Sequence, residues 1–383
     1  MTLIGFSECR LTEWLVRLVQ VIIGVPFIRQ YEANEALFNR RTVTAAKIAQ
    51  QAGYSAESYD VVTQDGYILR MDRITGSKKS PPSDDKTAVL LVHGLFDASP
   101  TWLVAGPEKA LVDGTGWTKQ SLRSVSITWN EMGMYDMPAM IDRIIQETKQ
   151  EKMFMVTYSQ GGTVFLVMAS ERPEYQKKVI AHFALVPAAF VSRMGTSVLK
   201  ALWLLADYGY VRIYEFKPSN KLVQRIGGKI CRDESRLQLT CKMIVGLCVG
   251  SQGKLNMTLL PLVTQYFPSG VAVKQLAHYG QLIQSGKFRK FDYGLAGNIE
   301  KYNETNPPDY NLRNVTVPTY LHYATNDKVV DVEDVLELYE TLPDVEKFLV
   351  PRDVFAHLDF MWGEDANTLV YDKILSLMKR YRK

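Results

Sequence analysis

The chain has 383 residues, of which 46% are hydrophobic, 11% aromatic and 22% charged. That is enough apolar material for a large core, and the balance excludes a disordered or low-complexity chain. Forty-five Lys and Arg against 41 Asp and Glu leave a net charge of +4 without any long basic block, so nucleic acid is not an expected partner. Four cysteines, none in a C-x-x-C pair, are too few for a disulfide scaffold and suggest no structural zinc.

Residues 1–40 read as a leader or arm. Leu15 to Val25 is apolar with Arg10 ahead of it, like the core of a signal sequence, while Arg17 and Gln20 interrupt it. That interruption also suits an amphipathic helix lying on the body or on a membrane surface. No apolar run is long enough to predict a spanning helix. Three N-x-S/T triplets, at Asn256, Asn303 and Asn314, are candidate glycosylation sites and favour a secretory route.

Next in the chain, Tyr59–Thr63 and Tyr67–Met71 are β-prone runs flanking Gln64-Asp65-Gly66, which predicts a hairpin. Gly76 to Asp85, with Pro81-Pro82, is a surface loop. Thr87–Val92 is a continuous apolar run, as expected of a strand buried on both faces of a parallel sheet. Pro138–Thr148 reads as a helix. Phe154–Thr157 is a second buried strand, followed by a helical pattern through Ser170. Val179–Val186, Val317–Tyr323 and the shorter Phe348–Val350 complete the strands. In the last helix, about Asp365 to Arg380, Val370, Ile374, Leu377 and Met378 share one face.

A hairpin followed by alternating strands and helices predicts an α/β fold with a mostly parallel sheet. Residues 41–186 and 312–383 are its two parts. Residues 187–311 break the alternation and read as an inserted, mainly helical cap over the carboxyl edge of the sheet, where such folds bind ligands.

One constellation carries chemistry. The strand at Phe154–Thr157 runs into Tyr158-Ser159-Gln160-Gly161-Gly162 and a helix. A serine on such a turn has its hydroxyl lifted above the sheet beside a helix N-terminus. Asp327 lies in a turn just beyond the strand Val317–Tyr323. Of five histidines, His93 precedes the serine, His182 and His322 fall inside strands, and His278 lies in the insertion. His357 alone occupies the loop after the last strand. The order Ser, Asp, His is that of an α/β-hydrolase: His357 would take the Ser159 proton and Asp327 would hold the imidazolium. The backbone N–H groups of Leu95, after Thr87–Val92, and of Gln160 would bind the developing oxyanion. There is no phosphate-binding G-x-x-x-x-G-K-[ST], no H-E-x-x-H and no dinucleotide G-x-G-x-x-G, so neither a cofactor nor a metal is expected.

These residues resemble the acid lipase family, which includes gastric and lysosomal acid lipases and many insect relatives. The resemblance rests on Val62-Thr63-Gln64-Asp65-Gly66-Tyr67-Ile68-Leu69, Val92-His93-Gly94-Leu95, Trp102, Asn130-Glu131-Met132 through Tyr135-Asp136-Met137-Pro138-Ala139, Tyr158-Ser159-Gln160-Gly161-Gly162-Thr163, Asn326-Asp327 and His357-Leu358-Asp359-Phe360-Met361-Trp362. It runs from about Tyr54 to the C-terminus. It implies Ser159 as nucleophile, Asp327 as acid, His357 as base, and Leu95 and Gln160 as oxyanion donors. It also implies a cap with an apolar lid, a cap disulfide between Cys231 and Cys241, and hydrolysis of neutral-lipid esters in the lysosome or outside the cell, with transient contact to a lipid surface. The oligomeric state is not implied.

Two features depart from the family. Thr157 stands where the G-x-S-x-G elbow has glycine. Between Leu95 and Asn130 the family's extra strand and N-S-R-G-type loop are missing, and Ser124–Thr128 is the expected replacement strand. These departures leave a second reading beside the ester hydrolase: a relative that binds or carries lipid without cleaving it. A third is an esterase or peptidase of the same fold with a soluble substrate.

Overall fold

The computed structural model describes residues 44–381 except 79, 107–110, 112–115, 121–126, 197–199, 201–202, 204–214, 217–254 and 264–265. Residues 1–40, Cys231 and Cys241 therefore lie outside the described residues.

Helix α1 (Ala45–Gln51) is capped by Thr44, whose hydroxyl accepts from the Lys47 N–H. Strands β1 (Ser55–Val62) and β2 (Ile68–Gly76) form the expected hairpin. Gly66 takes φ 84° in its turn, a conformation that a Cβ disfavours. Thr63 closes the turn: its hydroxyl donates to Asp65 and accepts from the Tyr67 N–H. Then follow β3 (Val89–Val92), β4 (Gly116–Gln120), helix α2 (Met137–Thr148), β5 (Met153–Tyr158), helix α3 (Gln160–Glu171) and β6 (Val179–Leu185). Between β6 and β9, β7 (Glu215–Phe216) pairs with β8 (Val271–Ala272) as a small separate sheet, followed by helices α4 (Val273–Ser285) and α5 (Gly294–Tyr302). The chain returns through β9 (Thr319–Tyr323), helix α6 (Val332–Thr341), β10 (Val345–Leu349) and helix α7 (Asp372–Lys379).

The main sheet has eight strands in the order β1-β2-β4-β3-β5-β6-β9-β10. From β4 to β10 every pairing is parallel, and only the β1–β2 and β2–β4 pairings are antiparallel. Every residue of β5 and of β9 is buried, as a parallel sheet covered on both faces requires. Helix α3 is buried from Gln160 to Ser170, so it is a core element with no solvent face.

The neighbour of β3 is not where the sequence placed it. The strand is Gly116–Gln120, paired parallel with β3 and antiparallel with β2; of the expected Ser124–Thr128, residues 124–126 lie outside the described residues. The run ending at Thr128 has strand-like composition, but Thr128 is spent on a helix cap. Its N–H and hydroxyl both donate to Glu131, and its hydroxyl accepts from the Asn130 N–H. An N–H committed to a capping box cannot also join a ladder. With β4 in place the β3 backbone has partners on both sides.

No helix among the described residues is long and apolar enough to cross a membrane.

Candidate active site

Strand β5 ends at Tyr158, and Ser159 makes the turn into α3 at φ 51° and ψ −115°. A non-glycine residue at positive φ costs roughly 1–3 kcal/mol and persists only where its surroundings fix it. Here the Ser159 N–H donates to the Leu185 carbonyl at the end of β6, and the Ser159 carbonyl accepts from Gly162. The turn also needs glycine at 161: a Cβ there would lie 2.4 Å from the Val92 carbonyl oxygen. Helix α3 can therefore pass close to β3 only at a residue with no side chain.

His357 reaches the same point from the loop after β10. Its Nε2 lies 3.0 Å from Ser159 Oγ, and its Nδ1 lies 2.7 Å from Asp327 Oδ2. Asp327 follows β9, and its other oxygen accepts from the Val329 and Val330 N–H groups at 2.8 and 2.9 Å. With both carboxylate oxygens acting as acceptors, the imidazole proton sits on Nδ1 and Nε2 is left to accept the serine proton. Ser159, His357 and Asp327 are all buried. The Tyr158 hydroxyl donates to the His357 carbonyl at 3.0 Å, fixing the backbone of the loop that carries the imidazole. A hydroxyl, an imidazole and a carboxylate linked in this order can perform nucleophilic acyl transfer.

Comparison with known proteins gives the chain a family. Residues 45–106 match the partial alpha/beta-hydrolase lipase region. Lipase 3 of Drosophila melanogaster is 37% identical over 86% of this chain and 91% of its own length. The human lysosomal acid lipase/cholesteryl ester hydrolase is 31% identical over 89% of this chain and 92% of its own. The rat gastric triacylglycerol lipase is 31% identical over 85% and 89%. The chain belongs to the acid lipase family. At the level of fold, the crystal structure of a candidate lipase from Sulfolobus solfataricus superposes with a TM-score of 0.55 at 13% identity, over 85% of this chain and 94% of that one. The acid lipase chain thus has the α/β-hydrolase fold.

In this acid lipase family member the remaining candidate residues fall as follows. Leu95 is half-buried in the loop beyond β3, and Gln160 is the first residue of α3. That loop turns through Phe96 at φ 62°. Beside it, Asp97 is buried, and burial pushes its carboxyl up to about 8. Asn303 and Asn314 are exposed and Asn256 is half-buried. Among the described residues no group of three or more His, Cys, Asp or Glu side chains could hold a metal ion.

The acid lipase elbow has Thr157 where the family pattern has glycine. Thr157 is fully buried, and its hydroxyl lies 2.8 Å from His182 Nε2 on the neighbouring strand. His182 stacks on Phe165 of α3 at 3.6 Å, and burial pulls its pKa down to about 3, so it is a neutral hydrogen-bond partner. Sequence reading missed this pair, although His182 inside a predicted strand was the available signal. It also missed Tyr158, which directly precedes the serine.

Proposed function

We propose that the protein is a serine ester hydrolase that cleaves carboxylic esters of neutral lipids through an acyl-enzyme. The observation that carries this reading is the hydrogen-bonded chain Ser159–His357–Asp327, with the serine held at positive φ at the end of a central strand. The substrate class is supported by the relatives, whose names specify cholesteryl esters and triacylglycerols. A secreted or lysosomal location is the reading those same relatives support. Residues 187–311 are read as the cap, with glycans at Asn256, Asn303 and Asn314, and with the Cys231–Cys241 disulfide belonging to that oxidising compartment.

In this mechanism Ser159 Oγ attacks the ester carbonyl as its proton passes to His357 Nε2. The tetrahedral oxyanion is bound by the Leu95 and Gln160 N–H groups, the second of them at the positive end of α3. Asp327 stays ionised and stabilises the imidazolium. His357 then protonates the departing alkoxide, leaving the acyl group on Ser159. A water molecule, deprotonated by His357, repeats the sequence and releases the fatty acid. The features that favoured a non-cleaving lipid binder were Thr157 and the shortened interval after Leu95. Against that reading stand the hydrogen bond of Thr157 to His182 and the pairing of β4 with β3.

Labelling with an alkyl fluorophosphonate tests the nucleophile. The expected result is one adduct per chain, mapped by peptide mass spectrometry to Ser159. Absence of an adduct on folded protein, or an adduct on another serine, would contradict the reading.

A further inference from the structure

The nucleophile turn is fixed by the sheet, but the loop after β3 depends on the insertion. Ser269 precedes β8, and its N–H donates to the Phe96 carbonyl while its hydroxyl donates to the Asp97 carbonyl, both at 2.6 Å. These are the two peptide carbonyls immediately following Leu95, and the chain takes its left-handed turn at Phe96, just ahead of the first of them. A bulky residue does not hold that conformation without support.

Six residues later, the same segment reaches the other proposed donor. The buried Gln160 side chain donates through Nε2 to Oε1 of Gln275, in the first turn of α4, at 2.9 Å, and Gln275 is itself buried. One turn further on, the Tyr279 hydroxyl lies 3.2 Å from Thr163 Oγ1, so α4 runs along α3. A single stretch of the insertion, 269–275, therefore grips the backbone beside Leu95 and the side chain of Gln160.

We propose that Ser269 and Gln275 are positioning residues that set the separation and aim of the Leu95 and Gln160 N–H groups, making residues 269–275 a structural part of the oxyanion site. The proposal rests on the reading of Leu95 and Gln160 as oxyanion donors. Transition-state stabilisation by fixed donors depends on their being held at hydrogen-bond distance from where the charge develops. A displacement of 1 Å can cost a hundredfold in rate.

The test uses the full chain with Ser269→Ala, Ser269→Thr and Gln275→Leu. Rates are counted per active site titrated with a p-nitrophenyl alkylphosphonate, so that a partly folded preparation does not distort them. The expected result is a fall in kcat of about tenfold for Ser269→Ala and for Gln275→Leu, smaller than the loss of a whole oxyanion donor, with KM nearly unchanged. Binding of an alkyl trifluoromethyl ketone, whose hemiketal oxyanion occupies the same donors, weakens in step with kcat. Ser269→Thr, which keeps the hydroxyl, retains both. An active wild type whose Ser269→Ala and Gln275→Leu variants match it in kcat and ketone affinity, or lose only in KM, overturns this assignment alone. A folded wild type without turnover overturns the triad reading and this assignment with it.

Discussion

Thr157 and His182 are diagonal neighbours on β5 and β6: Thr157 stands opposite Ala184, and its hydroxyl lies 2.8 Å from the Nε2 of His182, two residues earlier on the same face. The pair sits directly beneath the proposed nucleophile, two residues before Ser159. It places a buried hydrogen bond at a position that normally calls for glycine.

Thr157→Val keeps the shape and removes the hydroxyl. It leaves His182 Nε2 buried without a partner, which costs about 1–3 kcal/mol, read as a lower denaturation midpoint in urea with an unchanged slope. Thr157→Gly restores the G-x-S-x-G pattern, yet it is also expected to lose stability and to gain no activity. A Thr157→Gly variant more active than wild type would show that the threonine strains the elbow after all.

Two glycines separate packing from conformation. Gly161 has ordinary φ, but a Cβ there would overlap backbone at 2.4 Å; Gly66 has φ 84° with nothing within 4 Å of its Cβ position. Gly66→Ala should therefore cost only the conformational penalty of roughly 1–2 kcal/mol and leave turnover per folded molecule intact. Gly161→Ala must push α3 away from β3, and is expected to remove activity together with most of the folded protein. Equal losses in thermal midpoint for the two variants would refute this distinction.

Asp327→Asn leaves an oxygen to accept from Val329 and Val330 but takes away the negative charge facing His357 Nδ1. The imidazole then loses both its tautomer preference and its counter-charge, and kcat is expected to fall about 10⁴-fold with little change in fold. Steady-state kinetics beside circular dichroism check both halves of that statement.

Burial moves four groups in ways that make stability depend on pH. Asp97 is raised to about 8, while His182, His278 and His322 are each lowered to about 3, all chiefly by desolvation. Asp97 binds its proton more tightly when folded, so its contribution is complete in acid and is lost as pH rises from the ordinary carboxylate range through about 8. The histidines are neutral when folded, so their contribution is complete above their ordinary value of 6.5 and is lost as pH falls toward 3. Stability from these four groups is therefore highest near pH 6.5. Asp97→Asn should raise the thermal midpoint relative to wild type more in mild alkali than in mild acid. His322→Phe should flatten the acid limb. Melting curves with the same pH dependence in wild type and Asp97→Asn would contradict this account.

Legibility in the sequence followed burial. Strands β5, β6 and β9 lie inside a covered sheet, so they read as apolar runs and were located within about two residues. Edge strand β10 exposes Glu346 and Lys347, polar residues that suit an edge, and only its apolar end was readable. Strand β4 is Gly-Trp-Thr-Lys-Gln, with no periodicity to distinguish it, while Thr128 supplied a misleading β-branched signal that its capping role explains. Ser159, Asp327 and His357 are far apart in sequence, yet could be singled out because this fold presents functional groups at successive strand ends. The Thr157–His182 bond, and the bonds from Ser269 and Gln275, depend on strand register and on how residues 269–275 meet α3 and the loop after β3. Neither is written in any local pattern.

The central claim is that Ser159 cleaves esters. Purified wild type and Ser159→Ala should be compared on fluorogenic esters of short and long acyl chains, with circular dichroism confirming that both are folded. The account predicts turnover by wild type that favours long chains, and a loss in the variant of about 10⁶-fold, the scale on which removing a triad serine acts. A folded Ser159→Ala protein that still hydrolyses these esters, or a folded wild type that hydrolyses none, would contradict it.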